Sequence, residues 1–235
     1  MKNIVVFSGA GMSAESGLKT FRGNGGLWEG HRIEDVATPE AWSKNPARVL
    51  DFYNQRRIQV RTAQPNSAHK ALVKLEDFYS VHIITQNVDD LHERAGSKKV
   101  LHLHGEILYA RSTTNPEHVQ HLGSRNISIG DTCPLGSQLR PHIVWFGEQV
   151  PFFDKAVSIV SEADVFICIG TSLQVFPASS LVQFTPQHTQ QIVINPECQE
   201  LKGMHGAEHL EMTACDGVPF LVKRLLEEMV DQDDS

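Results

Sequence analysis

The run Ile4-Val-Val-Phe7 constrains the fold of this 235-residue chain more than any other stretch. Consecutive apolar, mostly β-branched residues suit a strand buried on both faces, as in a parallel sheet covered by helices. A glycine-rich turn, Gly9-x-Gly11-x-x-Ala14, follows directly. In that setting the first glycine allows a tight turn, the second lets backbone N–H groups approach a pyrophosphate, and Ala14 lets strand and helix pack closely. The bare pattern also fits an ordinary strand-to-helix turn. A dehydrogenase-type site carries an acidic residue about 20 positions further on, at the end of a second strand. Leu18 to Trp28 is instead a Gly-rich stretch with no strand pattern, so a nucleotide here is handled differently.

Further strand-like runs are Val81–Thr85, Val100–Gly105, Ile143–Phe146, Val165–Ile169 and Gln191–Ile194. Between them, helical patterns cover Pro46–Ala63, Ser67–Asp77, Phe153–Ser161, Ala178–Phe184 and residues 217–230. Strands alternating with helices predict an α/β fold with a doubly wound, parallel, Rossmann-like sheet. Residues 24–45 read as a partly helical, mobile segment, and the pattern is lost from Glu106 to Pro141, which reads as loops in a smaller inserted domain. The expected organisation is a single domain over 1–235. Its large dinucleotide-binding part covers about 1–28, 65–105 and 143–235, and its small inserted part about 29–64 and 106–142.

Composition narrows the function classes. A net charge of −7 disfavours a general nucleic-acid or anionic-membrane surface and favours a basic protein partner. Met1-Lys2 runs straight into the first strand, and no apolar run approaches the ~18 residues of a membrane span. Cys133, Cys168, Cys198 and Cys215 show no paired spacing and read as free thiols. The expectation is a cytoplasmic protein without membrane or nucleic-acid partners.

Polar groups gather at the carboxyl ends of successive strand patterns: Ser8 to Gly11, Gln86 to Asp90, Gly170 to Ser172, and Asn195. Open α/β sheets bind their ligands at that edge. Gly9-Ala-Gly-Met-Ser-Ala-Glu-Ser-Gly17, Thr20-Phe-Arg-Gly23, Gln86-Asn-x-Asp89, His104-Gly105 and Gly170-Thr-Ser172 together resemble the sirtuin family, the NAD-dependent protein-lysine deacylases. The resemblance implies a cofactor, NAD, held by Gly9, Ala10, Gly11, Ser13, Glu15, Thr20, Phe21, Arg22, Trp28, Gln86, Asn87, Asp89, Gly170, Thr171 and Ser172. Asn195, Pro196, Glu197 and Ala214 complete that set. It also implies catalytic roles for His104 as base and for Asn87 and Asp89 around the nicotinamide and its ribose. The implied reaction joins the acyl-lysine amide oxygen to the ribose carbon that loses nicotinamide, giving free lysine and O-acyl-ADP-ribose. Acylated lysine side chains of proteins are the implied partners, contacting Val144, Phe146, Gly147, Glu148 and Val175. In this reading the Val144 backbone receives the lysine nitrogen, Phe146 packs on the alkyl chain, and the peptide adds as a strand beside Gly147–Glu148 or Leu173–Val175.

Tyr53 and Arg56 lie three apart in the Pro46–Ala63 pattern and share a helix face. Spacing alone suits an exposed pair on an amphipathic helix. Tyr-x-x-Arg here resembles the sirtuin subgroup that removes succinyl and malonyl groups, where guanidinium and phenol hold the acyl carboxylate.

One departure concerns metal. Most of the family carries two Cys-x-x-Cys pairs for a structural zinc, where this chain reads Ser112-Thr-Thr-Asn115 and Cys133-Pro-Leu-Gly136. One thiolate does not make a four-ligand site, so no metal and no zinc are expected. His118 and His121 beside Cys133, or His102-x-His104 as a two-residue pair, are the alternative metal readings. The alternative functions are an NAD glycohydrolase or ADP-ribosyl transferase, and a non-catalytic NAD-binding sensor.

Overall fold

The computed structural model describes residues 1–19, 27–28, 30–197, 203–204 and 206–233. β1 (Asn3–Ser8) is buried along nearly its whole length and forms the middle of a six-stranded sheet. β4 (Ser80–Thr85) and β5 (Val100–His102) lie on one side of it. β9 (Val165–Ile169), β10 (Gln190–Ile194) and β11 (Glu208–Leu210) lie on the other. Every pairing in this sheet is parallel. The chain winds outward from β1 first through β4 and later through β9, so the topological switch point falls between β1 and β9. Two apolar clusters cover the faces. Ile4, Val6, Ile83, Ile167 and Ile192 pack on α5 (Ser67–Leu75) and α8 (Ala214–Asp233). Val5, Phe7, Ile84, Phe166 and Val193 pack on α7 (Phe153–Val160) and a 3-10 helix, Ala178–Phe184.

The stretch expected as loops carries a second, three-stranded sheet. β6 (Gly105–Ser112) pairs antiparallel with β7 (Val119–His121) and β8 (Leu139–Ile143). β6 starts one residue after His104, so the two sheets meet at the His104-Gly105 step. Gly105 has φ +82, and a Cβ there would lie 2.1 Å from the His142 carbonyl oxygen. No other residue fits that crossing. The strand expected over Ile143–Phe146 ends at Ile143, and Trp145 to Glu148 closes as a turn through Glu148 N–H donating to Trp145 O at 3.0 Å.

Ahead of these strands, a two-stranded ribbon, β2 (Leu27–Trp28) with β3 (His31–Arg32), leads into α2 (Ile33–Val36), α3 (Pro39–Lys44) and α4 (Pro46–Thr62). Asn45 caps α4, with Pro46 in its first turn. α4 buries Val49, Phe52, Tyr53 and Val60 against Ile107, Ile143 and Trp145. Its buried stripe also holds Arg56 and Arg57, which accounts for a helix less cleanly amphipathic than its spacing suggests. Arg57, fully buried, donates from Nε to the Ile107 carbonyl at 2.7 Å and from Nη1 to Asn54 Oδ1 at 2.5 Å. No helix among the described residues is long and apolar enough to cross a membrane.

Candidate active site at the carboxyl edge of the sheet

The β1 turn and the turn after β9 interlock at the switch point. Gly9 N–H donates to Ile169 O at 2.9 Å and Gly11 N–H to Gly170 O at 2.8 Å. A Cβ on Gly9 would lie 2.6 Å from the Thr171 Cβ, and a Cβ on Gly11 would lie 2.6 Å from the Gly170 Cα. Both glycines are therefore required by backbone contact inside the protein, whatever else they admit. α1 (Gly11–Ala14) is a single turn, so its dipole is far weaker than that of a full-length helix. Leu173, buried, has φ 52, a left-handed conformation that costs a non-glycine residue about 1–3 kcal/mol and is found mostly at functional sites.

The turn between β4 and α6 (Leu91–Ala95) carries the densest polar network. Asn87 Nδ2 donates to Gly9 O at 3.0 Å and to Ser13 Oγ at 3.1 Å. Ser13 Oγ in turn donates to Asp89 Oδ2 at 3.0 Å, and Leu91 N–H donates to Asp89 Oδ1 at 3.1 Å. Asp89 is 6% exposed, and burial pushes its carboxyl up despite the Leu91 and Ser13 hydrogen bonds. Gln86 Nε2 donates to Thr171 Oγ1 at 3.0 Å, and Asn195 Nδ2 donates to Thr171 O at 3.2 Å. Groups from β1, β4, β9 and β10 thus converge through hydrogen bonds.

His104 follows β5 and lies half-buried, with Nδ1 3.1 Å from the Gln86 carbonyl oxygen. A carbonyl only accepts, so Nδ1 carries the proton and Nε2 is left basic. Burial holds the imidazole below the ordinary histidine range, opposed by the Gln86 hydrogen bond. Two residues earlier, His102 places Nδ1 3.1 Å from Asn87 O and Nε2 2.8 Å from Glu93 Oε1. With both His102 nitrogens so engaged, His102-x-His104 does not form a metal pair. Among the described residues, no three His, Cys, Asp or Glu side chains are disposed to hold a metal ion.

Several residues of the sequence reading sit at the margin of this cluster. Glu15 accepts the Cys215 N–H at 3.0 Å, tying the end of α1 to the start of α8 beside buried Ala214. Glu197 N–H lies 3.4 Å from Asn195 Oδ1 on an exposed turn with Pro196. Thr20, Phe21 and Arg22 lie outside the described residues, and Trp28 is described only as part of β2.

Tyr53 and Arg56 are buried, at 0% and 8% exposure, which overturns the exposed-pair reading. Burial pushes the Tyr53 phenol up, opposed by a hydrogen bond with Trp145 and by the nearby Arg56 and Arg140 charges. Their helix face therefore packs on the segment that follows β8. Val144 N–H donates to His104 O at 2.9 Å and Phe146 N–H to Ala37 O at 3.0 Å, leaving the Phe146 ring 41% exposed. The Glu148 carboxylate does not project into open space. It receives Arg140 Nη1 at 2.7 Å, Arg111 Nη2 at 3.1 Å and the Trp145 N–H at 2.8 Å. Arg140 also stacks 3.3 Å over the Trp145 ring centroid. Gly147 (φ +89) completes the turn, and Val175 lies half-buried after Leu173.

Cys133 is buried with Leu50, Ala110, Leu122, Ile127 and Leu139. A hydrogen bond with Ser112 holds its thiol below the ordinary value, against the effect of burial. Ser112 Oγ also accepts the Asn115 N–H at 3.2 Å. A hydroxyl, an amide and one thiol are a poor donor set for zinc.

The sequence reading missed the groups that brace this site. Ser8 Oγ donates to Thr85 Oγ1 at 2.9 Å and meets His92 Nε2 at 3.0 Å, while Thr85 Oγ1 accepts the Asn87 N–H at 3.0 Å. Ser8 and Thr85 are polar residues closing two apolar strands, which is a legible signal. The His102–Glu93 contact spans nine residues and has none.

Comparisons with known proteins identify the family and the fold. Residues 9–177 match the profile of the Sir2 family. An NAD-dependent protein deacylase from Helicobacter pylori strain J99 is 51% identical over 227 residues, covering 97% of each chain. A Ser-to-Ala variant of a Sir2 homologue in complex with ADP-ribose superposes with a TM-score of 0.89 at 41% identity, covering 97% of this chain and 94% of the other. A Sir2 homologue in complex with NAD gives 0.87 at 41% identity, covering 97% and 90%.

Proposed function

The chain belongs to the Sir2 family, and on that premise we propose that it is an NAD-dependent protein-lysine deacylase of the cytoplasm that removes succinyl and malonyl groups from lysine, and acetyl groups as well. The observation that carries the reading is the Gln86–Asp89 turn, which anchors His104 through Gln86 O and holds the Asn87–Ser13–Asp89 network one residue away.

The residues present fit NAD. Asp89 is a buried carboxylate whose hydrogen-bond donors, Ser13 and the Leu91 N–H, are neutral, so a cationic group bound at this site would offset the cost of burying its charge. Gly9, Ala10, Gly11, Ser13, Gln86, Asn87, Asp89, Gly170, Thr171, Ser172 and Asn195 would hold the dinucleotide. Glu15, Thr20, Phe21, Arg22, Trp28, Pro196, Glu197 and Ala214 would complete its surroundings. When bound, NAD supplies an activated nicotinamide–ribose bond. Asp89 would stabilise positive charge at the ribose, Asn87 would orient the groups around it, and His104 Nε2 would remove a ribose hydroxyl proton. The Val144 backbone, Phe146, Gly147 and Val175 receive the acyl-lysine. Glu148 acts by fixing that turn through Arg140.

Buried Tyr53 and Arg56, on the face of α4 that meets Trp145, support recognition of an acyl group ending in a carboxylate. The apolar packing of Cys133 supports a small part that folds without zinc. The test is incubation with NAD and succinylated, malonylated, acetylated or unmodified lysine peptide, with products identified by mass. Loss of the acyl group only with NAD, and its recovery on ADP-ribose, is the expected result. Free ADP-ribose with every peptide intact indicates a glycohydrolase, and no products at all a sensor.

A further inference from the structure

His102 ends β5 and His104 follows two residues on, and each donates from Nδ1 to a carbonyl of the same turn, Asn87 O and Gln86 O respectively. They differ at Nε2. Among the described residues no acceptor faces His104 Nε2, which is the basic nitrogen, whereas His102 Nε2 meets the Glu93 carboxylate at 2.8 Å. A backbone carbonyl and an ionised carboxylate are both pure acceptors, so satisfying the two contacts requires a proton on both ring nitrogens. His102 is 8% exposed, so an imidazole lacking one of those protons would leave two acceptors opposed at hydrogen-bond distance in a site sheltered from water.

We infer that His102 is a positioning residue, held as an imidazolium bridge between Glu93 on α6 and the Asn87 carbonyl, which fixes the Gln86–Asp89 turn and sets a positive charge near Asp89. The inference rests on the deacylase reading only for the roles of Asn87 and Asp89. The charged and titratable groups around the bridge are Glu93 and His92 on α6, Glu106 on β6, His142 on β8, and Asp89 on the turn. Asp90 and His121 act on Glu106 in turn. Burial works against the imidazolium, but the Glu93 hydrogen bond and the Glu93 and Glu106 charges hold His102 above its ordinary value. A raised histidine value means that the bridge is intact at lower pH and is lost as pH rises through that value. The same charge helps keep buried Asp89 ionised. His104 must be neutral to act and His102 charged, so the two histidines bound activity from opposite sides.

The experiment has two readouts on the full chain. Long-range imidazole 1H–15N spectra, assigned with His102→Gln, report whether both His102 nitrogens carry protons near pH 7. The dependence of kcat/KM on pH is then measured for wild type, Glu93→Gln and His102→Gln. Expected are a doubly protonated His102, an alkaline limb that moves acidward by about one pH unit in Glu93→Gln, and loss of that limb at a lowered plateau in His102→Gln. Glu93 is 40% exposed at its side chain, so its variant retains the fold if His102→Gln does not. A singly protonated His102 near pH 7, or a Glu93→Gln profile superimposable on wild type, overturns the inference. A doubly protonated His102 in a protein without acyl-peptide turnover refutes the deacylase reading and supports the bridge.

Discussion

His104 donates from Nδ1 to the Gln86 carbonyl at 3.1 Å, and this one hydrogen bond fixes both the direction of the ring and which nitrogen is basic. Because burial also holds His104 below the ordinary value of 6.5, the base is neutral throughout the neutral range. Activity should fall on the acid side only as pH drops through a value below 6.5. His104→Tyr should lower kcat by about 10²–10⁴ while the thermal unfolding midpoint stays within a few degrees, as read by circular dichroism. Full turnover in a folded His104→Tyr protein contradicts the assignment.

Asp89 carries a charge that the fold does not favour. Its folded value is raised by burial, so its contribution to stability is fully present below about pH 4 and is lost as pH rises through the folded value. Asp89→Asn should therefore unfold at the same or a higher temperature than wild type near pH 7, with the advantage shrinking toward about pH 4. Turnover should drop by about 10²–10³, since charge stabilisation at the ribose is lost. Scanning calorimetry at both pH values, paired with nicotinamide release, reads the two effects separately.

The parallel sheet was legible because its strands are buried on both faces and therefore appear as continuous apolar runs, as in Ile4–Phe7 and Val165–Ile169. β6 was not read as a strand, because a register irregularity between Gly105 and Ala110 breaks its alternation, and its half-buried positions mix Glu106 and Arg111 with Leu108 and Tyr109. The edge strand β11 is half-buried throughout and gives no periodic signal. At the site, motif residues were legible as a set, yet the reason for some was not. Gly9 was read through a tight turn and Gly11 through ligand approach, whereas their first constraint is contact with Gly170 and Thr171, which are far away in sequence. Glu148 was read as a substrate contact, but its partners Arg111 and Arg140 lie on strands the pattern did not reveal.

Arg56 should govern which acyl group is removed. A charge-assisted hydrogen bond contributes about 1.5–3 kcal/mol, so Arg56→Met should cost about ten- to a hundred-fold in kcat/KM on succinyl-lysine peptide. Deacetylation should change by less than about threefold. Equal loss of both activities indicates that Arg56 supports the fold of α4 rather than the acyl carboxylate.

The small sheet should hold without metal. Cys133 packs among aliphatic side chains, and its thiol meets the Ser112 hydroxyl and groups of Leu135 and Ser137. Elemental analysis of the purified protein should find far less than one zinc per chain, and a strong chelator should leave the unfolding midpoint unchanged. Stoichiometric zinc, or a chelator-induced fall of several degrees, contradicts this.

The central claim is that cleavage of NAD is coupled to removal of the acyl group. Nicotinamide, deacylated peptide and O-acyl-ADP-ribose are quantified together in one reaction with wild-type protein, NAD and succinyl-lysine peptide, alongside a reaction without peptide. Expected are equal amounts of all three products and almost no nicotinamide without peptide. Nicotinamide released at the same rate with and without peptide, with the succinyl group retained, would contradict the claim.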